Sequence, residues 1–238
     1  MNENLLNWPD FTMVNRVVPK SSFYRNMDAN AQVRQRFVED IEQVTWLYKL
    51  APSNLHIADG KDVHEITVFL IHLKQDAKNH IGELLTWIDA QMPRHTLFVL
   101  QRDCRFKMVV NYKQWKDMRM GTFNIVKTFA TEWMPAASLS MPIMQPSVSS
   151  ALASGGECPL SSMDALYECM VRHVATTQIA SSSQDLSRAV METKETEAIR
   201  KTMEAIKKKE AKERQPQKKF ALHQEYLKWK ERLERVGK

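Results

Sequence analysis

The sequence predicts an α/β body of the α+β type with a mixed β-sheet, followed by a helical C-terminal coiled-coil hairpin. Within the first 135 residues, apolar residues alternate between helical and strand spacing, whereas from residue 163 onward only helical spacing occurs. Between these parts, residues 136–162 are rich in Ser, Pro, Ala and Met, with Glu157 as the one charged residue. We therefore divide the chain into an α/β domain (1–135), a linker (136–162) and a helical region (163–238).

Local patterns define the first elements of the body. DANAQVRQRFVEDIEQVTWLYKLAP contains an N-cap candidate, Asp28, and its apolar residues from Val33 to Leu50 recur at helical spacing. This pattern predicts one long amphipathic helix that ends before Pro52. Residues 66–73 form a run of β-branched and aromatic residues that is apolar on both faces, which is typical of a strand buried within a sheet.

The next segments predict a helix and further strands. In QDAKNHIGELLTWIDAQMP, apolar residues share one helical face and Pro93 follows the end of the helix. HTLFVLQRDCRFKMVVNYK then predicts a β-hairpin around residues 101–103, and residues 123–129 predict another strand. Because a strand, a helix and a strand within residues 65–100 indicate a parallel crossover while the hairpin is antiparallel, we expect a mixed sheet.

The C-terminal region predicts three helices, over residues 163–177, 185–213 and 218–236, with Pro216 separating the last two. Apolar residues of the third helix recur at alternating steps of four and three, which is the spacing of a seam that packs on another helix. These residues are Leu222, Tyr226, Trp229, Leu233 and Val236. Because two heptads are marginally stable alone, we expect the seam to pack within the chain, on a second copy or on a partner, and we predict partner docking by Leu222, Tyr226, Trp229 and Leu233.

The positive charge of the chain is concentrated in its tail. The net charge is +6, and residues 191–238 hold 15 Lys and Arg against 9 Asp and Glu, whereas the first 190 residues hold 19 of each. A basic tail on a neutral body fits nucleic acid, an acidic partner or a solvated helix. The second function that we consider is therefore nucleic-acid binding by Lys207, Lys208, Lys209, Lys212, Arg214, Lys218 and Lys219.

A second basic stretch, VNRVVPKSSFYRN, lies near the N-terminus and interleaves cations with Phe23 and Tyr24. Basic groups beside aromatic rings can follow a phosphate backbone and stack on bases. A polar loop whose aromatic residues cover the edge of the core would have the same composition. We include Lys20 and Tyr24 as candidate nucleic-acid contacts, with the polar loop as the alternative.

A degenerate or unrecognised metal-dependent nuclease is the third hypothesis, built on Asp62, Glu65 and Lys74. Such sites use two carboxylates and a lysine around one Mg²⁺. Glu65 and Lys74 are separated by about 30 Å along an extended strand, too far to share a metal ion. The histidines and cysteines also lack the spacing of a metal site, and no glycine-rich phosphate loop is present. We therefore expect no metal and no cofactor, and we favour a protein that is not an enzyme.

Membrane insertion is not expected. No window approaches the roughly 18 consecutive apolar residues of a membrane helix. The first residues, MNENLLNWPD, lack the basic and apolar regions of a signal peptide, so we expect a cytoplasmic protein.

Several stretches together resemble a known family. They are VNRVVPKSSFY, TWLYKLAPSNLHI, HEITVFLIHLK, WIDAQMPRHTLFVL, the TEW at residues 131–133, and QPQKKFALHQEYLKWKERL. In this order they are similar to an uncharacterised bacterial domain family whose members are encoded beside helicases and DNA methyltransferases in restriction and phage-defence gene clusters. The resemblance covers nearly the whole chain except residues 134–162, and it implies a biological context without catalytic residues.

The leading hypothesis combines this context with the helical tail. We expect a non-enzymatic accessory or adaptor subunit of a bacterial DNA-processing or anti-phage defence system. Its C-terminal helices would dock a helicase, a DNA methyltransferase or a second copy of the chain.

Overall fold

A mixed β-sheet of seven strands organises the first unit of the chain, residues 1–176, in the computed structural model. Residues 177–238 form a second compact unit. The structure describes residues 4–27, 29–77, 81–117, 121–141, 161–176, 178–179 and 185–236.

The strands lie side by side in their order along the chain, from β1 to β6, and β7 pairs with the start of β5. All neighbours are antiparallel except β3 and β4, which are parallel and are connected through helix α4. This confirms the predicted mixed sheet, the parallel crossover from β3 to β4 and the β-hairpin formed by β4 and β5. The strands are β1 (Met13–Val17), β2 (Ile41–Leu50), β3 (Ile66–Leu73), β4 (His95–Arg102), β5 (Arg105–Asp117), β6 (Thr122–Ala130) and β7 (Met134–Pro135).

Helices precede, connect and follow the strands. Within the described ranges, no helix is long and apolar enough to cross a membrane. Short 3-10 helices occupy Asp10–Thr12 and Ala136–Ser138. The α-helices are α1 (Lys20–Asn26), α2 (Ala31–Asp40), α3 (Pro52–Leu55), α4 (Ile81–Gln91), α5 (Met163–Val174), α6 (Leu186–Lys212) and α7 (Pro216–Val236).

The single long helix predicted from residue 28 to residue 50 is wrong. Helix α2 ends at Asp40, and the chain continues directly into the ten-residue strand β2. Strand β2 pairs with β1 and β3, and its register shifts twice, between Ile41 and Gln43 and between Trp46 and Tyr48. Such bulges interrupt the two-residue period of a strand, so that buried residues fall at spacings that imitate a helix. The side chain of Asn30 caps α2, and the predicted cap, Asp28, lies outside the described residues.

Two other segments differ from the prediction. The N-terminal basic stretch, predicted as a possible polar loop, contains strand β1 and helix α1. Helix α7 begins at Pro216, because proline is well tolerated at the first position of a helix, where its missing N–H group is not needed. Most of the predicted linker, residues 142–160, lies outside the described residues.

Helices cover both faces of the sheet. Successive strand residues point to opposite faces. On β5, the amide of Asn111 donates to Asp89 of α4 at 2.8 Å, whereas the ring of Tyr112 stacks on Tyr167 of α5. Helices α4 and α5 therefore lie on opposite faces of the sheet. The sequence predicts that residues 163–174 belong with the tail, whereas the apolar side of α5 packs on β5 and β6 in the first unit.

Aromatic rings fill the core on the α4 face. Phe23 of α1 contacts Phe37 of α2 and Phe69 of β3, and Phe69 stacks on Phe98 of β4 with ring centroids 6.2 Å apart. All four rings are buried. Aromatic burial of this kind dominates the stabilisation of a core, so these contacts hold α1 and α2 against the sheet.

A buried ion pair joins α4 to β5. Lys113 Nζ lies 2.5 Å from Asp89 Oδ1, and both side chains are fully buried. Lys113 also donates to the carbonyl oxygen of Arg94 at 2.7 Å, in the connection between α4 and β4. Burial raises the pKa of Asp89 and lowers the pKa of Lys113, because it disfavours a charge on either group, while each partner favours the charge on the other.

The loop before β3 encloses another carboxylate. Asp164, near the start of α5, accepts the backbone N–H groups of Lys61, Asp62 and Val63 at 2.6 to 3.1 Å. A Cβ atom on Gly60 would lie 2.4 Å from the carbonyl oxygen of Val63 and 2.5 Å from Asp164 Oδ1. Glycine is therefore required at this position for α5 to attach to the loop.

We predict that breaking the Asp89–Lys113 pair is costly and that the two losses are not additive. Lys113→Met or Asp89→Asn alone should lower the free energy of unfolding by about 3–5 kcal/mol, because a buried charge loses its partner. The double variant should lose clearly less than the sum. Chemical denaturation measures all three, and Arg36→Ala, which breaks the partly exposed Arg36–Glu83 pair, is the control with an expected loss below about 1 kcal/mol. Additive losses would contradict the pairing.

A second prediction concerns acid stability. His95 is buried beside Phe123 and Tyr167, and burial lowers its pKa from 6.5 to about 3. Below pH 6.5 the unfolded chain takes up a proton that the folded chain does not. The free energy of unfolding should therefore fall by about 1.4 kcal/mol per pH unit from this site as the pH decreases from 6.5 toward 3.

Denaturation of the wild type and of His95→Phe between pH 7 and pH 4 isolates this contribution. The variant keeps an aromatic ring but cannot titrate, so its stability should decline less steeply. Equal slopes would show that His95 is protonated in the folded chain.

Candidate functional site

The second unit contains the tail helices that the sequence singles out. Asp185 caps the start of α6 by accepting the N–H group of Ser187 at 2.9 Å, and α6 continues for 27 residues. Only residues 213–215 separate it from α7. The Glu213 carboxylate accepts the N–H groups of Gln215 and Arg214, and the bond from Gln215 is the main cause of its lowered pKa. This short, capped connection returns the chain along α6.

Two side-chain contacts show that α6 and α7 are antiparallel. Glu210, at the end of α6, lies 3.2 Å from His223 in the second turn of α7. Glu195, much earlier in α6, lies 2.7 Å from Arg232 near the end of α7. The two helices pack along their lengths, and Ile199 and Ile206 of α6 are buried. We call this pair of helices the arm.

The predicted seam is the least exposed side of α7. In the part of this helix whose side chains the structure describes, residues 216–235, only four side chains are not exposed. They are Leu222, Tyr226, Trp229 and Leu233, and all four are half-buried. The side chain of Val236 lies outside the described residues. The guanidinium of Arg232 lies 5.4 Å from the ring centre of Trp229, which adds a cation–π contact beside the seam.

The predicted phosphate-binding residues come together at the bend of the arm. Lys207, Lys208, Lys209 and Lys212 end α6, and Arg214, Lys218 and Lys219 follow within one turn of the bend. All seven are exposed. Among the described residues, Lys208 alone of the seven forms an ion pair, with Glu204 at 2.7 Å. We call this region, residues 207–220, the elbow.

The candidate contacts in the body are placed differently. Lys20 donates a hydrogen bond to the backbone carbonyl of Ile41, and partial burial lowers its pKa. Its ammonium group therefore helps to hold α1 at the start of β2. The side chain of Tyr24 lies outside the described residues, although the neighbouring Phe23 is part of the core.

The residues of the nuclease hypothesis lie at opposite ends of β3. Glu65 precedes β3 and is only 12 % exposed, with Arg94 at 2.8 Å and Lys49 at 3.2 Å from its carboxylate. Lys74 follows the other end of β3 and donates to the carbonyl oxygen of Val38 at 2.7 Å. The N–H group of Asp62 is bound by Asp164. The structure therefore holds these groups in separate contacts at the two ends of one strand.

The histidines are dispersed as well. His64 pairs with Asp59 at 3.0 Å, His95 is buried, and His56 ends α3 with a positive φ of 54°. Burial lowers the pKa of His72, in β3. In the described part of the chain, no three His, Cys, Asp or Glu side chains are grouped as metal ligands.

Two features of the arm are absent from the sequence predictions. An open cleft of about 560 Å³ lies at the elbow, with apolar and charged side chains on its walls. Phe220, the first aromatic residue of α7, is 65 % exposed. The seam periodicity indicates that Phe220 lies off the packed face, but the cleft exists only because the two helix ends are adjacent.

Residues 6–233 match the model of a domain of unknown function, DUF4391. No curated protein and no solved structure matches the chain. Because the match extends over almost the entire sequence and includes both units, the chain belongs to the DUF4391 family of domains of unknown function.

Proposed function

We propose that the chain is a non-enzymatic accessory subunit of a bacterial DNA-processing or anti-phage defence system. It docks a helicase or a DNA methyltransferase through the arm. The family resemblance supplies the context of this proposal, and the geometry of the arm supplies the docking surface.

The half-buried seam carries the proposal. Two antiparallel helices cover each other only on the side that they share, which leaves the flanks of a seam partly open. Leu222, Tyr226, Trp229 and Leu233 retain part of their surface after packing within the chain, and Met203 of α6 is half-buried as well. A third amphipathic helix laid into the groove between α6 and α7 would complete the burial of these side chains.

Trp229 is the anchor of this surface. Tryptophan and tyrosine are enriched among the residues that contribute most to binding, because each offers a large apolar area with few rotatable bonds. Trp229 and Tyr226 lie one turn apart on the same side of α7, in the middle of the seam. A partner helix would therefore meet two aromatic side chains at the centre of the groove.

The charged groups of the body support an accessory role. Glu65 is held between Arg94 and Lys49, Asp164 is surrounded by backbone N–H groups, and Asp89 is paired with Lys113 inside the core. These carboxylates contribute to the assembly of the fold.

We predict that Trp229→Leu removes the partner without unfolding the arm. Leucine keeps an apolar contact with α6, so helix content by circular dichroism should stay unchanged, whereas the lost indole surface should weaken docking by about 10-fold or more. The measurement is co-purification of the tagged full chain from its own cells after nuclease treatment, with the retained proteins identified by mass spectrometry.

The control is Lys228→Ala, which changes an exposed residue next to Trp229. It should retain the same proteins as the wild type. Recovery of a helicase or a methyltransferase with the wild type and the control, but not with Trp229→Leu, supports the proposal. If the arm remains helical and Trp229→Leu retains the same partner, docking through the seam is wrong, and if only a second copy is recovered, the seam is a dimer interface.

A further inference from the structure

The elbow concentrates positive charge that its own acids do not neutralise. It carries seven Lys and Arg side chains against Glu210 and Glu213. Glu210 pairs with His223, and Glu213 binds the backbone N–H groups of the bend. Of the seven cations, Lys208 is paired with Glu204. The two carboxylates of the elbow are outnumbered by its cations, so a net positive charge faces solvent there and attracts anions.

Some of these lysines line the cleft at the elbow. Lys209 and Lys212 line it from α6, and Lys218 lines it from α7. Ala221 and Leu222 provide apolar surface between them, while Glu213 and Glu225 also contribute to the walls. Three lysines from two helices therefore line one open cleft, beside two glutamates.

An exposed aromatic ring accompanies the lysines. Phe220 directly follows Lys218 and Lys219 in the first turns of α7. It is 65 % exposed, against 41 % for Leu227, which is the other large apolar side chain that is exposed in the described part of this helix. A ring in this position offers a free face to a ligand. Lysines beside an exposed aromatic ring are the combination by which proteins bind single strands, with phosphates on the cations and bases on the ring.

We infer that the elbow binds single-stranded nucleic acid, with phosphates at Lys209, Lys212, Lys218 and Lys219 and a base stacked on Phe220. This inference does not depend on the proposed docking of a protein partner, because the lysines and Phe220 that would contact the strand are not seam residues. Leu222 alone belongs to both the seam and the cleft wall. It adds a ligand class and a stacking residue to the arm.

The aromatic ring favours a single strand over the other polyanions. In a duplex the base faces are already stacked and are not accessible to Phe220 without unpairing. An acidic peptide could neutralise the lysines, but it would offer no flat aromatic surface to the ring in the way that every base does. Phe220 is therefore the residue whose contribution distinguishes these ligands.

The test is fluorescence anisotropy with the full chain and a fluorescein-labelled 20-nucleotide oligo(dT). With about four phosphates neutralised, the association constant should fall about 50-fold between 50 mM and 200 mM salt. Phe220→Ala should weaken oligo(dT) binding by about 5- to 100-fold, and Phe220→Trp should restore it. Binding of a 20-base-pair duplex should change less than about twofold in Phe220→Ala.

Two matched double variants distinguish the effect of where the lysines lie from the effect of the total net charge. Lys212→Gln/Lys218→Gln removes two charges at the cleft and should reduce both the affinity and its salt dependence. Lys228→Gln/Lys230→Gln removes two exposed charges farther along α7 and should have a much smaller effect. Leu227→Ala is the control for loss of an exposed apolar side chain from the same helix.

Three results with oligo(dT) would overturn the inference. They are no binding of oligo(dT) at 50 mM salt, equal effects of the two double variants, and oligo(dT) binding that is unchanged in Phe220→Ala. Tighter binding of poly-glutamate than of oligo(dT) at the same salt concentration would also overturn it and assign the elbow to acidic peptides. Trp229→Leu should leave oligo(dT) binding unchanged, so this experiment and the docking experiment can fail independently.

Discussion

The buried Asp89–Lys113 ion pair is the constraint around which the first unit is assembled. One ammonium group contacts the carboxylate of α4 and the carbonyl oxygen of Arg94, so it joins the crossover helix, its exit and strand β5. The carboxylate also receives the amide of Asn111, whose side-chain oxygen accepts the hydroxyl of Thr128 on β6. A network of this kind is favourable only when every member is paired, because unpaired charges in a low-dielectric interior are costly. If α4 packed on the sheet in another register, these charges would lose their partners and the free energy of the fold would rise. The network therefore also favours the observed position of β4 beside β3.

The sequence predicts those elements whose cause is local. Strand β3 is predicted correctly because it lies in the centre of the sheet. Its residues are therefore apolar on both faces, which the sequence shows directly. Strand β2 is missed because two register shifts break its period, although its residue types favour a strand. The ion pair is missed for a different reason. Asp89 sits in an amphipathic helix and Lys113 in a strand, where each would ordinarily face solvent, and only the pairing of β5 with β4 and the crossover brings them together.

In the candidate site as well, the sequence predicts the local features, and those that depend on tertiary packing are missed. The alternation of four and three identifies the four half-buried residues of α7 because helical periodicity is a property of the segment itself. The clustering of the lysines also follows from the sequence, since a three-residue bend must bring the end of α6 beside the start of α7. The cleft and the remaining exposure of the seam depend on how closely the two helices approach, and this is set by packing that no single segment contains.

The two proposed contact surfaces, the seam and the elbow, lie at different positions along the arm. Helix α7 is about 30 Å long, and its seam from Leu222 to Leu233 occupies roughly 16 Å of it, at a rise of about 1.5 Å per residue. The elbow lies at the end where α7 begins, so a helix docked along the seam leaves most of the lysines accessible.

The two contacts also depend on different physics. Burial of Trp229 and its neighbours against a partner would be driven by apolar area and nearly independent of salt, whereas the proposed binding at the elbow would gain from counterion release and weaken steeply with salt. Because the first 190 residues carry equal numbers of positive and negative groups, the arm alone supplies the net attraction for a polyanion. The proposed protein contact at the seam and the proposed nucleic-acid contact at the elbow are therefore compatible on one arm.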